Sequence, residues 1–481
     1  MRTTQDITGT TGVLGLIGNP VKHTMSPLIH NTISEELGKN LRYLPFPVEE
    51  DVAAAVKGAY HLGVQGLNVT VPHKTAVIGA LTDIDNAAKM IGAVNTLVRT
   101  EGGYKGYNTD MPGLGCALKR RGISLKDQQV VILGAGGASR AACALALTEG
   151  AKDIYLLNRT KERAERLAAE LTDTFRLMNG EVADNSSDEG ELSETGRIIP
   201  LAASEYPMVP RKPSIFIQCT ALGLHEGDGL LIEDDDFYHM AEYGYDLVYN
   251  PAVTPFMRKL EGFMIPCDNG LTMLLYQGII AYELWTGTSV PDELADKVLN
   301  RLERRLYGEN YVLVGYMGCG KSTVGKALAE ARGMTFLDTD AMIEEAQDCS
   351  IREIFEVQGE EAFRDMETRT LKKLSYTAVN TVIATGGGIV LRSENRKILK
   401  DIGHVIWLSA SPEETLRRVK EDTGRPLLDS ASETELAEKI DRMLRERGPA
   451  YEAAADRVIR TDGSSVGDIV NELAVLFPEI K

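Results

Sequence analysis

Short apolar runs alternate with amphipathic stretches along most of the chain. Val130 to Leu133 (VVIL) is uniformly apolar and ends on a glycine, ASRAACALALTEG follows with apolar residues at helical spacing, and DIYLLN returns to a short apolar run. Strand, helix and strand in this order predict parallel units whose strands are buried on both faces and therefore show no polar alternation. The same alternation recurs in YVLV, TVGKALAEARG, TFLDTD and TVIAT, so the fold class is α/β in both halves. Two segments depart from the pattern. Pro291 to Asn310 (PDELADKVLNRLERRLYGEN) is charged and helix-prone, which predicts a helical joint with a boundary near residue 308. Asn179 to Arg197 (NGEVADNSSDEGELSETGR) has neither period and reads as an exposed acidic loop.

Composition narrows the classes. At 481 residues the chain is long enough for two to four domains, and 43% hydrophobic with 25% charged residues is an ordinary globular balance, which excludes a mainly disordered or fibrous protein. Lys+Arg 52 against Asp+Glu 70 gives a net charge of -18, the opposite of the basic surface that a phosphate backbone requires, so nucleic acid is not expected as a partner. Cys116, Cys143, Cys219, Cys267, Cys319 and Cys349 are scattered without C-x-x-C spacing, which suits reduced thiols. MRTTQDITGTTG lacks an apolar h-region and no apolar run reaches the roughly 18 residues of a membrane span. The expectation is a cytoplasmic protein acting on small molecules, with no membrane partner. Its oligomeric state is not legible.

Two glycine loops carry the chemistry. In the first, Gly134-Ala135-Gly136-Gly137-Ala138-Ser139 joins a strand to a helix. Gly134 permits the tight turn, Gly136 lets the backbone approach a pyrophosphate, and the helix amino terminus offers unpaired N–H groups. Ser139 stands where a third Gly or Ala is usual. The next strand ends in Asn158-Arg159-Thr160, where an NAD site usually carries an acid; an arginine there pairs with a 2′-phosphate, so the expected cofactor is NADP(H). Upstream lie Gly18 to Pro27 (GNPVKHTMSP), Asn68 to Lys74 (NVTVPHK) and Gly106 to Asp110 (GYNTD), all rich in polar tips. Ser26-Pro27 reads as an N-cap with proline at the first helical position, facing a carboxylate. Lys74 follows a proline break at the start of a helix expected in TAVIGAL. With Asp110 holding it in place, Lys74 can protonate an alkoxide as hydride arrives. On residue types alone, a buried salt bridge is as good a reading of that pair.

In the second loop, Gly315-Tyr316-Met317-Gly318-Cys319-Gly320-Lys321-Ser322 fits the P-loop pattern between a strand and a helix. The amides of Gly318, Cys319 and Gly320 are expected to cradle ATP phosphates together with Thr323; Lys321 reaches the β and γ oxygens and Ser322 ligates Mg²⁺. Strand alternation in TFLDTD places Asp338 and Asp340 on one side, Asp338 near Mg²⁺ and Asp340 towards a substrate hydroxyl, with a helix-capping pair as the other reading. Arg364 in GEEAFRDMET, Gly386-Gly387-Gly388 after TVIAT, Arg425 in EDTGRPLL and Arg447 in RGPAYEAAAD fit an acceptor clamp, a close-contact backbone and a lid. Cys319 reads either as a reactive thiol beside Lys321 or as an inert small filler.

These motifs resemble two families. Residues 11 to 287 resemble shikimate dehydrogenase through GNP-x-x-H-x-x-S-P-x-x-H (Gly18 to His30), NVTVPHK, GAVNTL, YNTD, GAGGASR, NRT, YDLVYNP and GLTMLLYQG. The resemblance implies that Thr24 and Ser26 hold a substrate carboxylate and that Thr70, Lys74, Asn95, Asp110, Tyr249 and Gln277 surround ring hydroxyls. Lys74 is then the acid/base and Asp110 its partner, with Gly270 on the cofactor side. Thr24 stands where many members have Ser, and Leu224 where many have Met. Residues 310 to 481 resemble shikimate kinase through GYMGCGKST, FLDTD, F-x-x-x-G-E-x-x-FR, TGGG, GRPLL and R-x-P-x-Y. This implies that Asp340, Arg364, Gly387 and Arg447 bind shikimate, that the lid residue Arg425 meets the phosphates, and that Arg418 lies against adenine. The resemblances imply a two-domain dehydrogenase with a Rossmann-like NADP domain, followed by a P-loop kinase with a parallel sheet and a lid. The expected boundaries are 1–113 (completed by 270–290), 114–269, a joint at 291–308, and 309–481. The implied reactions run in series, from 3-dehydroshikimate to shikimate to shikimate 3-phosphate. A dehydrogenase that also accepts quinate, and a metabolite sensor without turnover, are the alternatives; intact Lys74, Asp110, Lys321, Ser322 and Asp340 speak against the sensor.

Overall fold

The apolar runs assemble into three sheets. The computed structural model describes residues 7–178, 196–225, 227–421 and 433–477, which leaves most of the acidic 179–197 stretch and Arg425 outside the described residues. The chain separates into two units, Met1–Leu302 and Glu303–Lys481. The division falls inside the helix Asp292–Tyr307, a few residues before position 308.

In the first unit, β1 (Gly12–Gly18), β2 (Leu41–Pro47), β3 (Gly66–Val69), β4 (Asp83–Ile84), β5 (Thr96–Thr100) and β6 (Gly103–Tyr107) form a sheet in the order β2-β1-β3-β5-β6-β4. β1 is parallel to β2 and β3, whereas β5 is antiparallel to β3 and β6. This sheet is therefore mixed, because the turn at Glu101-Gly102 leaves room only for a hairpin, and hairpins join antiparallel neighbours. Pairing of Asn68 with Thr96, and of Thr96 with Tyr107, brings the carboxyl ends of β3 and β6 and the amino end of β5 to one edge. β1 ends at that same edge, since it runs parallel to β3.

A second sheet contains β7 (Gln129–Leu133), β8 (Asp153–Asn158), β9 (Arg197–Ala202), β10 (Ser214–Gln218), β11 (Ala241–Asp246) and β12 (Cys267–Asp268), ordered β12-β11-β10-β7-β8-β9 with every pairing parallel. Alternation sends Val130, Ile132, Ile154 and Leu156 into one core and Val131, Leu133, Tyr155 and Leu157 into the other, which is why these strands carry no polar period. The chain leaves β7 towards β8 and later returns on its other side as β10. That reversal opens a crevice at the carboxyl ends, where the first glycine loop lies.

The second unit holds β13 (Tyr311–Val314), β14 (Thr335–Asp338), β15 (Thr381–Ala384), β16 (His404–Ser409) and β17 (Arg457–Arg460), in the order β14-β15-β13-β16-β17 and parallel throughout. Asp338 ends β14, and the P-loop and the three glycines follow the carboxyl ends of its neighbours β13 and β15. Among the described residues no helix is long and apolar enough to cross a membrane.

Candidate active sites

Lys74 and Asp110 meet at the shared edge of the first sheet. Lys74 Nζ lies 2.6 Å from Asp110 Oδ2, and the side chains keep 32% and 20% of their surface, so the pair is open to a ligand rather than closed off as a buried salt bridge. Asn95 Nδ2 donates to Asp110 Oδ1 at 2.9 Å, and Asn95 Oδ1 in turn accepts from the Thr109 N–H at 2.8 Å. Asp110 opens the helix Asp110–Arg120, where the helix dipole favours an acid. That helix is pinned at Gly113: a Cβ there would stand 2.9 Å from the backbone nitrogen of Gln277, so only glycine lets the helix Leu271–Thr286 bring Gln277 beside the first turn.

Two expectations need correction here. Ser26 is not the N-cap of the helix Ser26–Glu36; Met25 is, because its carbonyl already accepts the amides of Leu28 and Ile29, and it caps without a side-chain bond. Thr24 Oγ1 accepts the Ser26 N–H and lies 3.2 Å from Ser26 Oγ, so the two hydroxyls are still neighbours at a helix start. The helix expected in TAVIGAL is only a short 3-10 turn, Ala76–Ala80, since β4 at Asp83 leaves no room for more. Thr70 lies half-buried against Gly18. Burial pushes the Tyr249 phenol above its ordinary value.

At the second sheet the Ala135 N–H donates to Asn158 Oδ1 at 3.2 Å and Asn158 Nδ2 to the Thr160 carbonyl at 2.8 Å, which ties the glycine turn to the end of β8. Buried Ser139 has a function of its own here, as its hydroxyl accepts the Gly136 N–H at 3.1 Å. Gly137, Ala138 and Ser139 open the helix Gly137–Thr148 and have no acceptor within it. A Cβ added at Gly136 or Gly137 would meet nothing within 4 Å, so this face has room for a pyrophosphate. Arg159 and Thr160 are exposed beyond the strand. Gly270 answers a packing demand, since a Cβ there would lie 2.2 Å from the Leu247 carbonyl oxygen. A cleft of about 450 Å³ opens between the loops after β10 and β11, with Leu224 and Asn250 in its wall. Asp228, which the sequence did not single out, shapes that wall by accepting the N–H groups of Gly223 and His225 at 2.9 and 3.0 Å. These bonds hold its carboxyl below the usual range.

In the second unit Lys321 Nζ donates to the Gly315 and Tyr316 carbonyls at 2.9 and 3.0 Å. Ser322 Oγ donates to Asp338 Oδ2 at 2.8 Å, an oxygen pair suited to a hard cation that keeps nucleotide phosphates as its other ligands. Strand alternation does not place Asp340. β14 ends at Asp338, whose Oδ1 accepts the Asp340 N–H at 3.1 Å and caps the helix Thr339–Gln347. The capping reading of Asp338 therefore holds for Oδ1, while Oδ2 is turned to Ser322.

The three glycines gather residues distant in sequence. A Cβ at Gly386 would stand 2.6 Å from Asp340 Oδ1 and 2.9 Å from Glu367 Oε1; one at Gly388 would stand 2.2 Å from Arg364 Nη1. The Gly387 carbonyl accepts from Tyr451 and, at 3.5 Å, from Arg447 Nη1. Arg364 is held by Glu367 at 2.8 Å and Glu360 at 2.9 Å. Burial pushes the fully enclosed Glu367 carboxyl up. Glu367 lies one turn from Arg364, a helical spacing that was visible, but a charged helix residue reads by default as a solvated face. Arg418 is fixed beside the P-loop, donating to the Thr461 carbonyl at 2.8 Å and to Glu414 at 2.6 Å. Cys319 is 1% exposed and packs with Val324 and Leu328, with Lys321 Nζ 3.9 Å from its Sγ.

Comparison with known proteins agrees with this geometry. Residues 16–97 match the family model for the shikimate dehydrogenase substrate binding domain, residues 116–184 that for shikimate / quinate 5-dehydrogenase, residues 270–299 that for the shikimate 5'-dehydrogenase C-terminal domain, and residues 317–476 that for shikimate kinase. Shikimate dehydrogenase (NADP(+)) of Methanothermobacter thermautotrophicus is 39% identical over 305 residues, which cover 62% of this chain and 99% of the relative. The crystal structure of shikimate 5-dehydrogenase from Listeria monocytogenes in complex with shikimate and NAD is similar with a TM-score of 0.53 at 29% identity, covering 62% of this chain and 99% of that one. A chorismate mutase/shikimate 5-dehydrogenase fusion protein from Clostridium acetobutylicum gives 0.52 at 30% identity, with 62% and 98% covered. The chain belongs to the shikimate dehydrogenase family and carries a shikimate kinase domain fused behind it.

Proposed function

We propose that this chain is a bifunctional shikimate-pathway enzyme that reduces 3-dehydroshikimate to shikimate with NADPH and then phosphorylates shikimate to shikimate 3-phosphate with Mg-ATP. The observation that carries the reading is the presence, in one chain, of a solvent-reached Lys74–Asp110 pair and a P-loop whose Ser322 meets Asp338.

In the first unit, bound NADPH supplies the hydride. Lys74 gives its proton to the carbonyl oxygen, while Asp110 keeps the ammonium in place and accepts from a substrate hydroxyl. Thr24 and Ser26, with the first amides of their helix, take the carboxylate; Thr70, Asn95, Tyr249 and Gln277 take ring hydroxyls. Gly134 to Ala138 face the pyrophosphate, Asn158, Arg159 and Thr160 the 2′-phosphate end, and Gly270 the nicotinamide side. In the second unit, bound Mg-ATP supplies the phosphoryl group. Gly318, Cys319, Gly320, Lys321 and Thr323 bind phosphates, Ser322 and Asp338 hold Mg²⁺, and Arg418 borders the base. Asp340 receives the hydroxyl proton and Arg364 and Arg447 hold the carboxylate against Gly387; Arg425, outside the described residues, is assigned to the phosphates by resemblance alone. We place the substrate-binding part at 1–113 with 270–290, the NADP part at 114–269 and the kinase behind the joint, in a cytoplasmic protein without nucleic-acid or membrane partners.

Purified protein given 3-dehydroshikimate, NADPH and Mg-ATP is expected to yield shikimate 3-phosphate only when both cofactors are present. NADPH oxidation that stops at shikimate would remove the kinase reading, and tight ligand binding without turnover would favour the sensor. Quinate oxidation with NAD in the same preparation would broaden the first activity.

A further inference from the structure

The P-loop and the acceptor clamp of the second unit meet at one aromatic side chain. Met443, Arg447 and Tyr451 follow one another at four-residue spacing on the helix Glu433–Ala454, so they share one stripe of it. Tyr316, the second residue of the P-loop, is 4% exposed; its hydroxyl donates to Met443 Sδ at 3.2 Å, and the Arg447 Cζ stands 5.7 Å over the centre of its ring. Gly387 packs on the same loop, since a Cβ there would lie 3.6 Å from both the Gly315 carbonyl oxygen and the Met317 nitrogen, and its carbonyl accepts from the Tyr451 hydroxyl. The two clamp arginines differ in what surrounds them. Arg364 is held by the carboxylates of Glu367 and Glu360, which offset its charge. Half-buried Arg447 makes no ion pair among the described residues; it bonds the Tyr451 hydroxyl and, at 3.5 Å, the Gly387 carbonyl. The negative face of the Tyr316 ring attracts this guanidinium without neutralising it.

We infer that Tyr316 is a positioning residue for the phosphoryl acceptor: its ring seats the Arg447 guanidinium at Gly387 with its charge available to the acceptor's carboxylate, and so joins the clamp to the nucleotide loop. The inference rests on the kinase reading above. On the nucleotide side Tyr316 acts through its backbone, whose carbonyl accepts Lys321 Nζ at 3.0 Å and the Cys319 N–H at 3.3 Å, so a change of side chain leaves those bonds in place. The P-loop pattern leaves this position open to any residue, which is why the motif does not single it out.

Tyr316→Leu in the full chain removes the ring, whereas Tyr316→Phe keeps it and removes only the hydroxyl. The KM for shikimate is expected to rise about threefold to tenfold in Tyr316→Leu, the size of one cation–π contact, with kcat and the KM for ATP unchanged, and to stay near the parent value in Tyr316→Phe. Pentafluorophenylalanine in place of Tyr316 keeps the shape of phenylalanine and loses the negative face. It should raise the KM as leucine does, an effect that a merely structural role would not produce, and it carries the test if Tyr316→Leu does not fold. In an Arg447→Met background, Tyr316→Leu should raise the KM no further. A parent-like KM in both Tyr316→Leu and the fluorinated variant, a Tyr316→Phe as weak as Tyr316→Leu, a KM for ATP that rises in step, or a further rise in the Arg447→Met background overturns the inference. Arg447→Met alone separates the two levels: if it leaves the KM for shikimate unchanged the clamp itself is misassigned, whereas a raised KM there beside an unaffected Tyr316→Leu removes only the role of Tyr316.

Discussion

His30 and Asp246 oppose one another in how the first unit responds to pH. His30 has no exposed surface, and burial lowers its pKa to about 3 against a smaller opposing effect of Asn68. The unfolded chain binds this proton below about 6.5 while the folded chain refuses it, so stability is lost as pH falls from about 6.5 towards 3, by as much as a few kcal/mol. Asp246 is also fully enclosed, with Thr254 Oγ1 donating at 2.6 Å and the Val248 N–H at 2.9 Å, and burial raises its pKa to about 7. Its contribution has the other sign: it is present below about 3.9, where both states are protonated, and lost as pH rises towards 7. His30→Phe should therefore flatten the fall in urea midpoint between pH 7 and 5, and Asp246→Asn should raise the midpoint at pH 8 more than at pH 5. Midpoints that keep the parent pH dependence in both variants would mean that neither group titrates differently on folding. Nothing in the residue types announced either effect, since His30 and Asp246 stand inside recognisable motifs and only their complete enclosure gives them these properties.

Elements were legible wherever hydrophobic period and glycine turns agreed, and less so where a side chain decided the local geometry. DIYLLN and YVLV are apolar on both faces and could only be buried parallel strands. In TFLDTD, by contrast, the Asp338 carboxylate captures the Asp340 amide and turns the chain into a helix, a competition that alternation alone does not weigh. The Lys74–Asp110 pair was visible as chemistry, yet whether it was a closed salt bridge or an open pair depended on exposure, which the sequence does not carry. The three-glycine turn shows what an element adds to single residues. Gly388 has φ -100°, which any residue adopts, so Gly388→Ala acts through contact alone. The new methyl would displace the Arg364 guanidinium, which Glu367 and Glu360 hold from behind. KM for shikimate should rise about tenfold or more, in line with one weakened charge-assisted bond, while KM for ATP stays constant. A parallel rise in both constants would show that the turn supports the P-loop rather than the acceptor clamp.

At the scale of the whole molecule, the helix Asp292–Tyr307 belongs to both units in turn. Its early turns are bound to the first unit: Asp296 pairs with Arg120, Lys297 with Glu36 at 3.0 Å, and Arg301 Nη1 donates to Thr32 at 3.2 Å. Its last turn is bound to the second. Arg304 is 8% exposed, and its guanidinium donates to the carbonyls of Asp401 and Ile402 at the end of the helix Ser393–Ile402, where a cation satisfies groups the helix leaves open. The compact division at Leu302 falls just before this arginine, whose role the composition of the segment could not reveal because Arg304 reads like any other charge on an amphipathic helix. A kinase fragment that starts at residue 309 loses Arg304; one that starts at Asp292 keeps it. The shorter fragment should be less stable by about 1–3 kcal/mol, the cost of buried carbonyls deprived of a charged donor, and its urea midpoint should fall accordingly. Arg304→Ala in the longer fragment should lower the midpoint to that of the shorter one. If instead Arg304→Ala matches the parent fragment while the shorter one is weaker, the helix stabilises the kinase through its apolar face, and the functional boundary lies with the helix as a whole rather than with its one buried arginine.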